Sequence, residues 1–111
     1  MRDDDALLLD MLLSSQKALR FVEDVDYAAF SQAEILQSAV LRELQVIEEA
    51  ARLVSEETQV DHPDIEWRAI IGMRNRLVHG YFTIRLDVVW QTLLEDIPPL
   101  IRQLERIFPD S

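Results

Sequence analysis

Apolar residues recur along most of the chain at spacings of three and four, which is the pattern of amphipathic helices rather than of strands. The first predicted helix covers residues 4–23. One of its sides is mainly apolar, with Leu8, Met11, Leu12, Leu19 and Val22. Aspartates at positions 3–5 lie where a helix start favours negative charge. A turn is expected at residues 23–26.

A second helix is predicted to start at Ser31, which forms a capping box with Glu34. Phe30, just before the cap, is placed as a hydrophobic staple. The apolar pattern continues to about Glu57, so the helix has about 25 residues and a length of nearly 40 Å. A helix of that length exceeds what a small globule covers alone. We therefore expect part of its wide apolar face to meet a second copy of the chain.

The third predicted helix runs from about Asp64 to His79, after the Pro63 loop. Its apolar stripe repeats every four residues, at Ile65, Ala69, Met73 and Leu77. Gly72 inside the helix costs up to about 1 kcal/mol relative to Ala, which a close approach of two helices would explain. Gly80 is placed as the C-terminal cap. Residues 81–84 are expected to be extended or irregular.

The last part of the chain predicts a broken helix. One stretch begins at Leu86 or Asp87 and ends at Leu94. A second stretch starts at the adjacent prolines 98 and 99, with Asp96 as its cap, and ends near Phe108. The sequence therefore predicts an all-α fold, an antiparallel bundle of four to five helices, with residues 1–111 as one domain.

Composition agrees with this picture and excludes several classes of protein. Two glycines and four prolines suit helices with short loops, and the lack of cysteine excludes a disulfide framework or a thiolate zinc site. The apolar runs are too short to span a bilayer. The first residues lack the positive charge and apolar stretch of a secretory signal. We therefore predict a cytoplasmic protein that does not bind membranes.

The charge distribution singles out one segment. The net charge of −10 argues against a general nucleic-acid-coating protein. Residues 66–86, however, carry four arginines against one acid, Glu66. Ten of the eleven basic residues are arginine, which makes two-pronged contacts with phosphate or carboxylate. Surface salt bridges are predicted for the arginines elsewhere, namely Arg2, Arg20, Arg42 and Arg52.

The candidate chemistry lies at residues 74–81, which hold Arg74, Asn75, Arg76, His79 and Tyr81. Attack of a ribose 2′-hydroxyl on its neighbouring phosphate needs groups that accept and donate protons, and fixed positive charge. Histidine, with an unperturbed pKa of about 6.5, serves the proton steps, and arginine serves the charge. No tight carboxylate or histidine cluster surrounds His79, so neither a metal nor another cofactor is predicted.

Helical geometry limits how these groups meet. On a regular helix Arg74 and His79 lie about 140° apart, whereas Asn75 shares a face with His79. Three arrangements would bring them together: the helix unwinds near Gly80, the Arg74 side chain reaches around, or a second copy supplies partners across a two-fold axis. A purely structural alternative is a helix-end salt bridge with a histidine that caps carbonyls.

The arrangement R-N-x-x-x-H-x-Y on the third helix of a small acidic bundle resembles the HEPN superfamily, and more narrowly the HepT-like toxins. Further matching stretches are Ile65–Arg68, Gly72–Asn75, Leu86–Trp90 and Asp96–Pro98. One departure is Glu66, where that family often has proline.

The resemblance implies a metal-independent endoribonuclease that acts as a two-fold homodimer. Arg74 and His79 would be catalytic, with Asn75 and Arg76 supporting them or binding phosphate. It also implies a toxin of a type VII-like toxin–antitoxin pair. An MntA-like minimal nucleotidyltransferase antitoxin would transfer AMP to Tyr81 and could assemble with the toxin into a larger hetero-oligomer. The alternative is a non-catalytic helical module that only partners the nucleotidyltransferase and accepts the AMP.

Overall fold

A computed structural model describes residues 3–80 and 83–109 of the chain. Within these ranges almost all regular structure is helical, and the two short strands form one antiparallel pair. The elements in chain order are α1 (Asp4–Phe21), α2 (Tyr27–Gln32), α3 (Glu34–Leu53), α4 (Glu56–Asp61), α5 (Trp67–Ile71), α6 (Met73–Leu77), β1 (Val78–His79), β2 (Thr83–Ile84), α7 (Leu86–Gln91), a π-helical turn (Thr92–Asp96) and α8 (Ile97–Ile107). The predicted all-α bundle is confirmed.

The core lies between α1, α3 and α8, where the apolar stripes predicted from the sequence meet. Its fully buried side chains include Leu8, Met11, Leu12, Val40, Leu44, Ile47 and Leu104. Burying a large aliphatic side chain contributes roughly 1.5–3 kcal/mol relative to leaving it exposed. The first two long helices are antiparallel, because Asp4 at the start of α1 accepts hydrogen bonds from Ser55, just beyond the end of α3.

The start of α3 differs from the prediction, and the capping box is wrong. Residues 27–32 form a separate helix, α2, whose cap Asp26 accepts the Ala29 N–H at 2.8 Å. The Ser31 hydroxyl donates to the Ala28 carbonyl instead of capping, and α3 starts at Glu34 without a side-chain cap. The separate helix is explained by Phe30, which is fully buried and packs against the Trp90 ring, so that residues 27–32 lie against the core.

The end of α3 also differs, since the helix ends at Leu53 rather than Glu57. Val54 is extended, and the Ser55 hydroxyl caps α4 by accepting the Thr58 N–H at 3.2 Å. The apolar face is narrower than predicted, because Ile35 is 88% exposed. Cover of this face by a second copy stays a prediction.

The third helix is two short helices, α5 and α6, that meet at Gly72. It starts at Trp67 rather than Asp64, after a turn in which the Trp67 indole donates to the His62 carbonyl at 3.0 Å. A Cβ at Gly72 would meet only the Arg68 carbonyl, at 3.4 Å. A close approach of helices therefore does not explain this glycine, and that interpretation was wrong.

The helix end is earlier than predicted. After Leu77 the backbone becomes extended, and Val78 and His79 pair with Ile84 and Thr83 in the two-stranded sheet. The predicted C-cap at Gly80 is wrong, because Gly80 lies beyond the strand with a φ of 71°, which glycine adopts readily. The extended conformation of residues 83–84 is confirmed. Tyr81 and Phe82 lie outside the described residues.

The last helices form one stretch from Leu86 to Ile107. The predicted break is a π-helical turn, in which the Ile97 N–H donates to the Thr92 carbonyl five residues earlier. Asp96 makes no capping hydrogen bond, so that prediction is wrong. Pro98 and Pro99 cannot donate, and their rings crowd carbonyls of the preceding turn, which a wider turn accommodates. Among the described helices, none is long and apolar enough to cross a membrane.

Candidate active site

The candidate residues lie on α6 and on the strand that follows it. Arg74 is the second residue of α6, and His79 lies two residues beyond its end. Both are exposed. The Val78 N–H closes the last turn on the Arg74 carbonyl, and the backbone is extended from there. Of the three arrangements considered, the structure therefore has the unwound helix, but it unwinds at Val78 rather than near Gly80.

This unwinding removes the helical phase relations that were predicted for His79. The angle of about 140° from Arg74 assumed a regular helix through residue 79, and so did the face shared with Asn75. Both expectations are wrong, because His79 sits in a strand opposite Thr83. Asn75 is exposed on α6, with its backbone N–H donating to the Gly72 carbonyl at 3.3 Å.

Arg74 is held by its backbone rather than by its side chain. Its N–H is one of the groups that lack a partner within a helix when the helix starts anew after Gly72. The Glu48 carboxylate on α3 accepts this N–H at 3.1 Å, and its other oxygen lies 2.9 Å from the Arg52 guanidinium. Arg52 in turn donates to the Ile71 carbonyl at 3.2 Å. Glu48 and Arg52, which we call the α3 clamp, therefore fix both sides of the α5–α6 junction.

The Arg74 side chain has no hydrogen bond or ion pair with any other described residue. It lines a groove of about 250 Å³ between α3 and α6, which we call the α3–α6 groove. Arg76 differs from it. Its guanidinium donates to the Ala69 carbonyl at 3.2 Å and lies 3.8 Å from the Asp96 carboxylate. Arg74 is therefore available to a ligand, whereas Arg76 already has protein partners.

The remaining predicted features have mixed outcomes. The salt bridge predicted for Arg52 is confirmed by its pair with Glu48. Arg42 has no salt bridge with a described residue, contrary to the prediction. Tyr81 lies outside the described residues, so its role stays a prediction. In the described part of the chain, no group of three or more histidine, aspartate or glutamate side chains could hold a metal ion.

The α3 clamp was missed by the sequence reasoning. Glu48 and Arg52 stand four apart on a helix, which is a sufficient signal for an ion pair between them. Nothing in the sequence connects that pair to the motif, because the contacts to Arg74 and Ile71 span 26 and 19 residues of chain. The connection between this ion pair and the motif depends on the packing of α6 on α3, which the sequence pattern does not show.

Comparison with known proteins shows the family of the chain. The family model described as ribonuclease HepT-like matches residues 11–107. The "putative RNase MJ1380" of Methanocaldococcus jannaschii is 34% identical over 104 residues, which cover 94% of this chain and 95% of the relative. The "probable ribonuclease HepT" of Thermococcus cleftensis is 34% identical over 87 residues, which cover 78% of this chain and 79% of the relative. No solved structure gives a significant match.

The chain belongs to the HepT-like ribonuclease family of the HEPN superfamily, since the family model covers most of its length. Ribonuclease activity is the activity of this family. The all-α bundle agrees with that assignment.

Proposed function

We propose that this chain is a toxin endoribonuclease that cuts RNA by 2′-hydroxyl attack, with Arg74 and His79 at the reacting phosphate. The observation that supports this most is the exposure of both side chains beside a helix end, with the Arg74 guanidinium unpaired among the described residues. A guanidinium that is unpaired among the described residues, in a basic segment of an acidic chain, is suited to a phosphate, which it binds through two N–H groups.

The reaction needs a proton acceptor, a proton donor and fixed positive charge. The 2′-oxygen forms a bond to phosphorus as its proton passes to a base, and the bond from phosphorus to the 5′-oxygen breaks as that oxygen gains a proton. The products are a 2′,3′-cyclic phosphate and a 5′-hydroxyl. Imidazole suits both proton steps near neutral pH, and guanidinium stabilises the charge on the pentavalent phosphate. His79 is assigned the proton transfer and Arg74 the charge.

Each chain supplies one His79, whereas the reaction has two proton steps. A homodimer that brings two helix ends to one cleft would supply both a base and an acid, and would double the local positive charge. Asn75, exposed on the same helix, would contact the substrate or the second copy, and Arg76 would support the site or bind phosphate. The single domain of residues 1–111, acting in the cytoplasm, is part of this proposal.

Regulation by modification completes the proposed function. A minimal nucleotidyltransferase antitoxin would transfer AMP from ATP to the Tyr81 hydroxyl, with release of pyrophosphate. The added phosphate brings negative charge and bulk to a residue two positions after His79 in the sequence, and would compete with RNA for the arginines. The toxin–antitoxin pair would be of the type VII-like class, and the modified chain would be inactive.

The central test is RNA cleavage by the purified chain with a metal chelator present. We expect cleavage that leaves cyclic-phosphate ends, and we expect His79→Ala to lower its rate by about 10²- to 10⁴-fold. His62→Ala is the matched control, since His62 is the second histidine of the chain and lies in a loop before α5. If His79→Ala cleaves as fast as the unaltered chain with its fold intact, the assignment is wrong.

Two further measurements separate catalysis from a binding role. Incubation with the nucleotidyltransferase and ATP should add AMP to the chain but not to Tyr81→Phe, as mass spectrometry would show. AMP addition without any RNA cleavage by the unmodified chain would instead indicate the non-catalytic acceptor module. Sedimentation should show a homodimer, and a stable monomer at micromolar concentration would contradict a shared site.

A further inference from the structure

The α3–α6 groove contains a second unpaired guanidinium that does not belong to the motif. Arg42 on α3 lines this groove together with Arg74. Arg42 is exposed, and it makes no hydrogen bond or ion pair with any described residue. Two guanidiniums from different helices therefore line one groove without a partner among the described residues, in a chain whose net charge is −10.

The wall of the groove on α3 is polar at regular intervals. Ser38, Arg42 and Gln45 lie four and three residues apart, so they stand on one face of the helix, and all three are exposed. A hydroxyl and an amide beside a guanidinium offer donors that suit phosphate and ribose oxygens. The apolar lining consists of Leu41 and Leu44 on α3, Met73 and Leu77 on α6, and Val78, which precedes His79 in β1.

Glu48 also lines the groove and adds a negative charge, but that charge is neutralised locally. One of its oxygens faces Arg52 at 2.9 Å and the other accepts the Arg74 N–H. Its side chain is 9% exposed. The accessible charge of the groove therefore comes from Arg42 and Arg74.

We propose that Arg42, with Ser38 and Gln45, forms a second phosphate subsite that binds the RNA backbone next to the phosphate held by Arg74. This inference rests on the proposed function, since it deepens the same site. A volume of about 250 Å³ equals that of roughly eight water molecules at about 30 Å³ each. That space admits a phosphate and part of a ribose, while the base stays in solvent. The subsite would bind the sugar-phosphate backbone of the RNA and would not recognise its base sequence.

The test is RNA binding in a His79→Ala background, in which the RNA remains uncut. The probe is a short single-stranded RNA of mixed sequence. Arg42→Gln should weaken binding about ten-fold. It should also reduce the slope of log affinity against log salt by about 0.7, the value for one phosphate contact on a single strand. Arg42→Lys keeps the positive charge but not the planar guanidinium that binds two phosphate oxygens, so this variant should recover only part of the affinity.

Arg102→Gln is the matched control, because it removes the same charge from an exposed position on α8 that does not line the groove. We expect its affinity to equal that of the His79→Ala background. Equal weakening by Arg102→Gln and Arg42→Gln would mean that only the overall charge matters, and would overturn the subsite. A change of oligomeric state in Arg42→Gln that accounts for its loss of binding would also overturn it.

Failure of this inference is distinguishable from failure of the proposed function. If the unaltered chain cleaves RNA while Arg42→Gln binds RNA normally, the subsite is wrong and the catalytic assignment stands. If the unaltered chain neither binds nor cleaves RNA, the proposed function is wrong and the subsite falls with it.

Discussion

The α1–α3 pair and the motif segment, residues 67–85, are built on different physical principles. The α1–α3 pair consists of two long helices joined by an apolar interface, with Leu8 and Ile47 almost completely buried. The described part of the motif segment, residues 67–80 and 83–85, contains two five-residue helices and two strands of two residues each. Helices that short are not stable alone, so they depend on contacts with the rest of the bundle. The comparison shows that the site is positioned by the bundle and has little stability of its own.

The motif segment is held by both polar and apolar contacts. The α3 clamp holds the α5–α6 junction, and the ion pair between Arg76 and Asp96 links α6 to the π-helical turn. Met73 and Leu77 add the apolar contacts, since both are buried while the residues between them are exposed. A segment held in this way presents the Arg74 and Arg76 side chains to solvent.

The largest expected effect comes from the apolar core. Ile47→Ala removes a fully buried side chain from α3, and we expect it to lower the free energy of unfolding by about 2–5 kcal/mol. Ile35→Ala on the same helix is the matched control, because its side chain is 88% exposed, and we expect a change within about 0.5 kcal/mol. Urea denaturation of both variants measures the difference. A large loss in Ile35→Ala would show that this part of α3 is covered in solution.

An intermediate effect is expected from the α3 clamp. Glu48→Ala leaves the Arg74 N–H without its acceptor and Arg52 without its partner, so we expect a loss of about 1–3 kcal/mol. Hydrogen exchange should become faster at the Arg74 amide and stay unchanged in α1. Glu48→Gln keeps an oxygen for the Arg74 N–H and should restore part of the protection. Glu49→Ala, one residue away and exposed, is the control. Equal exchange in both alanine variants would contradict a clamp.

The smallest expected effect concerns pH and the start of α1. The Ser55 hydroxyl, 2.5 Å from the Asp4 carboxylate, lowers the pKa of Asp4 below its ordinary value of 3.8, with further contributions from the Thr58 hydroxyl and the Ser55 N–H. Ionised Asp4 therefore stabilises the fold above about pH 3.8, and this stabilisation is lost as the pH falls through the lower, folded-state pKa.

Asp4→Asn should accordingly be less stable than the unaltered chain at pH 7. The difference in melting temperature should shrink as the pH is lowered below 3.8. Asp5→Asn is the control, since Asp5 lies in the same first turn and is exposed. If the melting temperature of Asp4→Asn differs from that of the unaltered chain by the same amount at every pH, the carboxylate charge does not cause the loss of stability.

The sequence predicted the long elements well and their junctions poorly. The helical spacing of apolar residues in α1 and α3 was clear, because burial of one side of a helix places apolar residues three and four positions apart. The capping box at Ser31 and the cap at Asp96 failed because tertiary contacts, the burial of Phe30 and the crowding by two prolines, overrode local signals. The extent of one domain over residues 1–111 stays a prediction.

The candidate site was predicted as a set of residues but not as a geometry. Arg74 and His79 were identified from their chemical types and spacing, while the helix was drawn two residues too long. The end at Leu77 depends on the pairing of Val78 with Ile84, a contact six residues apart that the helical pattern concealed. The contribution of α3, through Glu48 and Arg42, could not be predicted, since it depends on how distant parts of the chain pack.

The contacts of Asp64 and Asp96 join parts of the chain that the ribosome makes at different times. The α1–α3 pair can form as soon as α4 has emerged, because all of its residues have then been made. The motif segment comes next, but Asp96, which pairs with Arg76, is made after it. The two residues that contact Asp64 in the preceding loop, Gln103 and Arg106, are also made later. During synthesis, the motif side chains therefore emerge before the residues that contact this part of the fold from the C-terminal side.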